Sequence, residues 1–209
     1  MPAPRRLVIG ISGASGAVYV ERVFYHLRYW PGELIVTASK TGMGIIYNER
    51  GLKLPENTET INHLLDDWLK LRSGTYRPKV TFHPHHYIGA PIASGSFRTL
   101  GMAVIPASMA KVSALAVGQS RDLLERAADV CLKEGRTLVV VPRESPLSAV
   151  HLENMLKLAR LGVKVVPAMP GFYHNPTSIE EIGDFVAART LDALGLNLPI
   201  LEEWTGHQQ

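Results

Sequence analysis

The sequence predicts a doubly wound α/β domain: a mostly parallel sheet with helices on both faces. Three observations predict it. Short continuous apolar runs rich in Val and Ile recur along the 209 residues, the pattern of strands buried on both sides. Helical patterns separate those runs, as in successive βαβ units. A glycine-rich turn, "GISGASG", joins the first run to the first helical pattern, where an open sheet of this kind meets its ligand.

The strand runs are "LVIGIS" (7–12), "ELIVTAS" (33–39), "MAVIPAS" (102–108), "TLVVVP" (137–142) and "VKVVPA" (163–168), with "VTFH" (80–83) as a further short strand. Helical patterns lie near 16–29, 40–49, 61–71, 109–117, 121–134, 147–161 and 178–194. The last is clearly punctuated: Ser178 and Glu181 are spaced as a capping box, Pro176 precedes them and Gly195 follows. No repeat or low-complexity segment occurs. The reading is one domain over 1–209, with a core of about 5–196 and a tail of 197–209. Flexibility is expected at 50–60, at 72–79 and after Leu198.

Composition narrows the function classes. A net charge of +3 without a Lys/Arg block gives no argument for nucleic acid, and a few cations at an anionic ligand explain the excess equally well. Cys131 is the only cysteine, so no intrachain disulfide forms and a reducing compartment is expected. Its place in "RAADVCLKE" reads as core filling. No apolar run is long enough to span a bilayer. Residues 7–11 already read as a strand, leaving no room for a signal peptide, so a cytoplasmic protein is expected.

Gly10, Gly13 and Gly16 are spaced G-x-x-G-x-x-G around Ser12 and Ser15. Small residues let backbone approach an anion, and the helix that follows offers unpaired N–H groups and its positive end. The dinucleotide fingerprint has other spacing and needs an acid about 20 residues on for the ribose. Here the second run ends in "TASK", with Ser39 and Lys40 where that acid would stand. The pattern favours a mononucleotide whose phosphate Ser39 helps to bind, and a tight turn without ligand stands as the plain alternative. No Gly-Lys-Ser/Thr follows, so a Walker loop is excluded. "IASGSFRTLGM" (92–102) and "PASMAK" (106–111) bring further small and hydroxyl residues to loops at the same expected edge.

Several charges stand in unusual places. "TLVVVPRESP" puts Arg143 and Glu144 directly after the most apolar run, where catalytic groups sit in this architecture; a surface pair is the bland alternative. On a helical wheel for 179–194, Arg189 falls between Ile182 and Phe185, on the core-facing stripe. A cation there needs a partner, an anionic ligand or room to snorkel. "PGFYHNP" (170–176) presents Tyr173 and His174 at a loop tip, placed to meet a phosphate or to cap a core. "HPHHY" (83–87) matches no zinc spacing and reads as a solvated or interface cluster. No G-x-S-x-G elbow supports a serine hydrolase.

Taken together, "GISGASGA", "TASK", "ASGSF", "SRDLLERAADVCLKEGRTLVVVPRESPLS", "HLENMLKLARLGVKVVPAMPGFYHNP" and "VAARTLDALG" resemble the UbiX-like flavin prenyltransferases, collinearly from about residue 5 to residue 196. These belong to the flavoproteins of the homo-oligomeric flavin-containing decarboxylase-like superfamily. The resemblance implies a flavodoxin-like Rossmann fold and a homododecamer with active sites between subunits. It implies reduced FMN as substrate and dimethylallyl phosphate (the diphosphate in some members) as prenyl donor, without a metal. The product, prenylated FMN, is the cofactor of UbiD-type decarboxylases, in quinone synthesis among other pathways.

Carried over by motif, Gly13, Ala14, Ser15 and Ser39 bind FMN, with Ser108, Met109, Ala110, Lys111 and Arg143. Tyr173, Arg189, Lys133 and Arg143 bind the prenyl phosphate, and Ala93 and Ser94 line the prenyl pocket. Glu144 is the implied acid/base, Ser15 a proton relay, and Lys133 a third catalytic group. The chain departs from many relatives at 105–111, where "IPAS" replaces "CPCS" and "MAK" follows. Tyr87 is nearest to the position before "ASGS" that often holds Trp. The competing readings are an FMN-dependent decarboxylase of the cysteine-decarboxylase type and a non-catalytic FMN carrier for an aromatic-acid decarboxylase.

Overall fold

In a computed structural model, residues 5–201 are described. Strands β1 (Arg6–Ile11), β2 (Glu33–Ala38), β4 (Lys79–Phe82), β5 (Gly101–Ala107), β6 (Thr137–Pro142) and β7 (Lys164–Val165) pair in parallel. β3 (Glu59–Thr60) is antiparallel to β4 at one edge, and the seven-stranded order is β3-β4-β2-β1-β5-β6-β7. The chain winds from β1 to one side and returns at β5 on the other. The order therefore reverses between β1 and β5, and in open α/β sheets the ligand crevice lies beyond the carboxyl ends of the strands at such a reversal.

Alternation along each strand feeds two cores, which explains the unbroken apolar runs. Leu7, Ile9, Ile11, Val36, Ile105 and Val141 face a layer made with α1 (Ala17–Leu27), α2 (Lys40–Arg50), α3 (Asn62–Trp68) and α7 (Ile179–Ala193). Val8, Ile35, Met102, Val104, Leu138 and Val140 face α4 (Met109–Ala116), α5 (Leu123–Lys133) and α6 (Ala149–Arg160). Cys131 lies in this second core, and burial pushes its thiol up to about 11. It is filler and a poor nucleophile.

Side-chain oxygens start five of the helices. Ser39, Ser108, Asp122, Ser148 and Ser178 each accept the backbone N–H three residues on. The expected box at Ser178 is half formed: Glu181 accepts from the Thr177 N–H at 2.6 Å rather than from Ser178. The complete box is at Ser148 and His151.

Two of the segments expected to be flexible carry fixed contacts. Segment 72–79 is held fast, because the buried Asp66 carboxylate accepts from the N–H groups of Gly74 and Tyr76 at 2.8 and 2.9 Å. Asn62 also donates to the carbonyls of Tyr76 and Pro78 at 3.0 and 2.7 Å. Segment 50–60 ends in β3, a pairing too short to show as a period in sequence. Residues 202–209 of the tail lie outside the described residues. Among the described residues, no helix is long and apolar enough to cross a membrane.

Candidate active site

Ser12 fastens the crevice. Its N–H and its hydroxyl both donate to the Pro106 carbonyl, at 3.2 and 2.9 Å, while its Oγ accepts from the Ser108 N–H at 2.8 Å. The ends of β1 and β5 are thereby pinned together, and the start of α4 stands beside the glycine turn. On the other flank, the Ser39 N–H donates to the Ile11 carbonyl at 2.8 Å, and its hydroxyl accepts from the Gly42 N–H at 3.0 Å.

Close approach explains two of the glycines. A Cβ on Gly13 would stand 2.4 Å from Thr41 Oγ1, and one on Gly42 would stand 2.5 Å from the Ile11 carbonyl oxygen. Turn and helix meet only because both side chains are absent. Ala14 is buried and its N–H turns back to the Ser12 carbonyl at 2.9 Å.

The expectation of an open positive end on α1 is corrected. Glu49, in the last turn of α2, accepts the N–H groups of Gly16 and Ala17 at 2.9 and 2.8 Å. α1 has no acid in its first turn and no side-chain cap, so it draws its counter-charge from α2. Burial pushes the Glu49 carboxyl up. Donation from Ala17, Ser15 and Gly16, with the charge of Arg143, outweighs that and holds it below its ordinary value. The helix starts that remain for a phosphate are those of α2 and α4, where the first N–H groups after Ser39 and Ser108 have no intrahelical partner.

Arg143 closes the other wall. Its N–H donates to the Ala107 carbonyl and its Nε to the Ser15 carbonyl, both at 3.1 Å. Glu144 is exposed beside it, one carboxylate oxygen accepting from the Ser145 N–H at 3.0 Å. Tyr19 stands near both charges: burial raises its phenol, Arg143 lowers it and Glu49 raises it. Sequence reasoning missed Glu49, Tyr19 and Thr41. One signal was available, an α1 with no acid of its own near its start.

The 108–111 turn directs its Met109 and Lys111 side chains away from the crevice. Met109 is buried in the core, and Lys111 Nζ donates to Asp122 and Glu125 at 2.6 and 2.5 Å. Its charge is taken up by α5, so neither side chain replaces the departure from "CPCS".

Other expected site residues stand elsewhere on the chain. Lys133, at the carboxyl end of α5, pairs with Glu134 at 2.5 Å and lies against the loop holding Ser94 and Gly95. That loop is pinned by Arg126 on the Ala93 carbonyl at 3.2 Å and by Arg136 on the Gly95 and Phe97 carbonyls. Ser94 Oγ lies 2.9 Å from Ser96 Oγ. Lys133 precedes β6 and Arg143 follows it, so the two lie at opposite ends of a six-residue strand, about 20 Å apart.

Arg189 is not on the core stripe. Its side chain is 59% exposed and pairs with Asp192 at 3.4 Å. α7 instead buries Gly183, Val186, Ala187, Thr190 and Leu191. Gly183 lets α1 come close, since a Cβ there would stand 3.0 Å from Val18 Cγ2. Small residues thus set the buried face and turn Ile182, Phe185 and Arg189 to its flank. Tyr173 is 60% exposed and packs edge-on against Phe185 at 5.9 Å.

In "HPHHY", His83 is buried, its Nδ1 lies 3.1 Å from Thr58 Oγ1, and burial lowers its pKa. His85 and His86 pack edge to face at 5.5 Å. Among the described residues, no three His, Cys, Asp or Glu side chains are grouped to hold a metal ion.

A switch-point crevice lined by serine-capped helix starts and lacking a ribose acid defines a mononucleotide-binding α/β protein. The flavoprotein family matches residues 1–191. The flavin prenyltransferase UbiX of Synechocystis sp. is 44% identical over 200 residues, covering 96% of each chain. A dodecameric FMN-dependent Ubix-like decarboxylase from Escherichia coli O157:H7 superposes with TM-score 0.82 at 39% identity, over 96% of this chain and 100% of that one. AnUbiX (PadA1), solved with FMN and dimethylallyl pyrophosphate, gives TM-score 0.82 at 34% identity, over 98% and 100%. The chain belongs to the flavoprotein family and, within it, to the UbiX-like flavin prenyltransferases.

Proposed function

We propose that this chain joins the dimethylallyl group of dimethylallyl phosphate to N5 and C6 of reduced FMN, releasing phosphate. The observation that carries this reading is the Arg143–Ser15 closure of the crevice, with Glu144 as the next residue. FMN fits the crevice by three tests. Gly13 and Gly42 leave no Cβ at the cradle, the α2 and α4 starts present N–H groups to a phosphate, and Ser39 stands where a dinucleotide site needs an acid.

Reduced FMN supplies the two nucleophilic positions. The protein's residues do the rest. Ser39, Ser108 and the backbone of 109–111 orient the flavin phosphate. Arg143, Tyr173, Arg189 and Lys133 stabilise the negative charge that builds on the departing phosphate. In the closure at C6 the prenyl double bond takes up a proton as the new bond forms, and Glu144 accepts the proton released from the aromatic carbon. Ser15, whose hydroxyl supports the Glu49 carboxylate, relays a proton towards the flavin N5 or the departing phosphate. Ala93 and Ser94, on the loop that lies beside Lys133, border the prenyl chain with it from a neighbouring copy and keep water away.

The separation of Lys133 from Arg143 along β6 supports a site assembled from more than one copy of the chain. Exposed apolar side chains on and beside α6, including Val150, Leu152, Leu156 and Leu161, are available for such contacts. A dodecamer like that of the Escherichia coli neighbour accommodates both facts. The product is handed to a UbiD-type decarboxylase, and the single buried thiol suits the cytoplasm.

Anaerobic incubation with reduced FMN and dimethylallyl phosphate, read by mass spectrometry, tests the reading. A flavin heavier by one C5 prenyl unit supports it. Bound but unmodified FMN with either the monophosphate or the diphosphate refutes it.

A further inference from the structure

The loop that carries Tyr173 is tied to α7 by three aromatic rings. Asn175, at φ 51°, closes a tight turn by donating its N–H to the Phe172 carbonyl at 3.0 Å, which leaves Tyr173 and His174 at its centre. His174 stacks on Phe185, with ring centres 5.8 Å apart and planes 10° from parallel. Tyr173 meets both rings edge-on, at 5.8 Å from His174 and 5.9 Å from Phe185. Gly171 makes room, for a Cβ there would stand 2.9 Å from the Tyr173 ring and 3.0 Å from Phe185.

Phe185 and Arg189 are four residues apart on α7 and so share one face. Both line a cleft of about 530 Å³ with Val166, Pro167, Met169 and Asp192. A side chain stacked on Phe185 therefore sets where the loop stands relative to Arg189.

The His174 ring nitrogens are the unusual part. Both are shut off from solvent, and neither has a hydrogen-bond partner among the described residues. A polar ring placed this way gains nothing from its polarity and loses hydration. Its flat faces make the contacts.

We infer that His174 is a positioning residue: stacked on Phe185, it holds the 172–175 turn so that Tyr173 and Arg189 present to the same prenyl phosphate. It acts as a ring and not as an acid or base. This rests on the prenyltransferase reading, in which Tyr173 and Arg189 bind the donor.

The test is steady-state kinetics with reduced FMN and dimethylallyl phosphate on the intact oligomer, comparing wild type, His174→Ala, His174→Phe and Phe185→Ala. His174→Ala and Phe185→Ala each raise the donor KM by about ten-fold or more, with kcat and FMN affinity changed by less than about three-fold. The double Ala variant is hardly worse than either single, since both break one contact. His174→Phe restores the donor KM, and its rate profile between about pH 5.5 and 8 follows wild type.

A His174→Phe enzyme as impaired as His174→Ala, or one that loses a limb of the pH profile, overturns the inference. So does a His174→Ala enzyme with wild-type donor KM, or one that loses FMN binding together with donor binding. A wild type that transfers no prenyl group overturns the functional reading and, with it, the clamp.

Discussion

Arg143 and Ser15, 128 residues apart in sequence, are joined where Arg143 Nε donates to the Ser15 carbonyl at 3.1 Å. This contact draws the end of β6 over the glycine turn that follows β1. It brings together two segments that no local pattern connects.

Replacing Arg143 by Ala removes that donor and its positive charge. Loss of one such contact in a closed site costs about 10²–10³ in kcat, and FMN affinity falls with it. Arg143→Lys keeps the charge but lacks the Nε donor in its fork, and recovers only part of the loss. Flavin titration and single-turnover prenylation read both effects.

Gly42 and Gly44 sit two residues apart on α2 with opposite expectations. A Cβ at 42 meets the Ile11 carbonyl oxygen at 2.5 Å, whereas one at 44 meets nothing within 4 Å. Gly42→Ala is expected to destabilise the fold by about 1–3 kcal/mol and to weaken FMN binding by moving Ser39. Gly44→Ala should stabilise it by about 0.4–1 kcal/mol. Thermal unfolding, with and without FMN, decides both.

Glu49 makes stability acid-sensitive. Its carboxyl is held below the ordinary value, so its contribution is complete above about pH 4.3 and is lost as the pH falls through the lower folded value. Glu49→Gln therefore lowers the melting temperature at neutral pH and flattens its fall under acid. A parallel fall in wild type and variant would remove Glu49 from the role of α1 counter-charge.

Glu144→Gln keeps the shape of the side chain and removes its basicity. Transfer to N5 needs phosphate departure, whereas closure at C6 must shed a ring proton. The variant is expected to stall after the first bond, giving an open N5 adduct by mass spectrometry of quenched reactions. Full product at wild-type rate would relieve Glu144 of this role.

Much of the fold was legible because buried parallel strands leave unbroken apolar runs and serines mark helix starts. β3 was not, since two residues of edge pairing leave no period. The glycine turn, Ser39, Arg143 and Glu144 stand at strand ends, as the apolar runs before them indicate. Glu49 could not, because it reaches α1 from the far end of another helix, a relation set by packing. Arg189 was misplaced for a related reason. A wheel ranks faces by hydrophobicity, but α7 packs its smallest residues against α1 and leaves Phe185 and Arg189 at the flank.

Lys133 and Arg143, at opposite ends of β6, are expected to serve one reaction from different copies of the chain. Co-expression of Lys133→Ala with Arg143→Ala tests it most directly, by the yield of prenylated FMN. Each variant alone is expected to give at least about a hundred-fold less product than wild type, while mixed oligomers regain activity because some sites combine an intact Lys133 with an intact Arg143. Mixed oligomers that give no more product than either parent would contradict a site shared between copies.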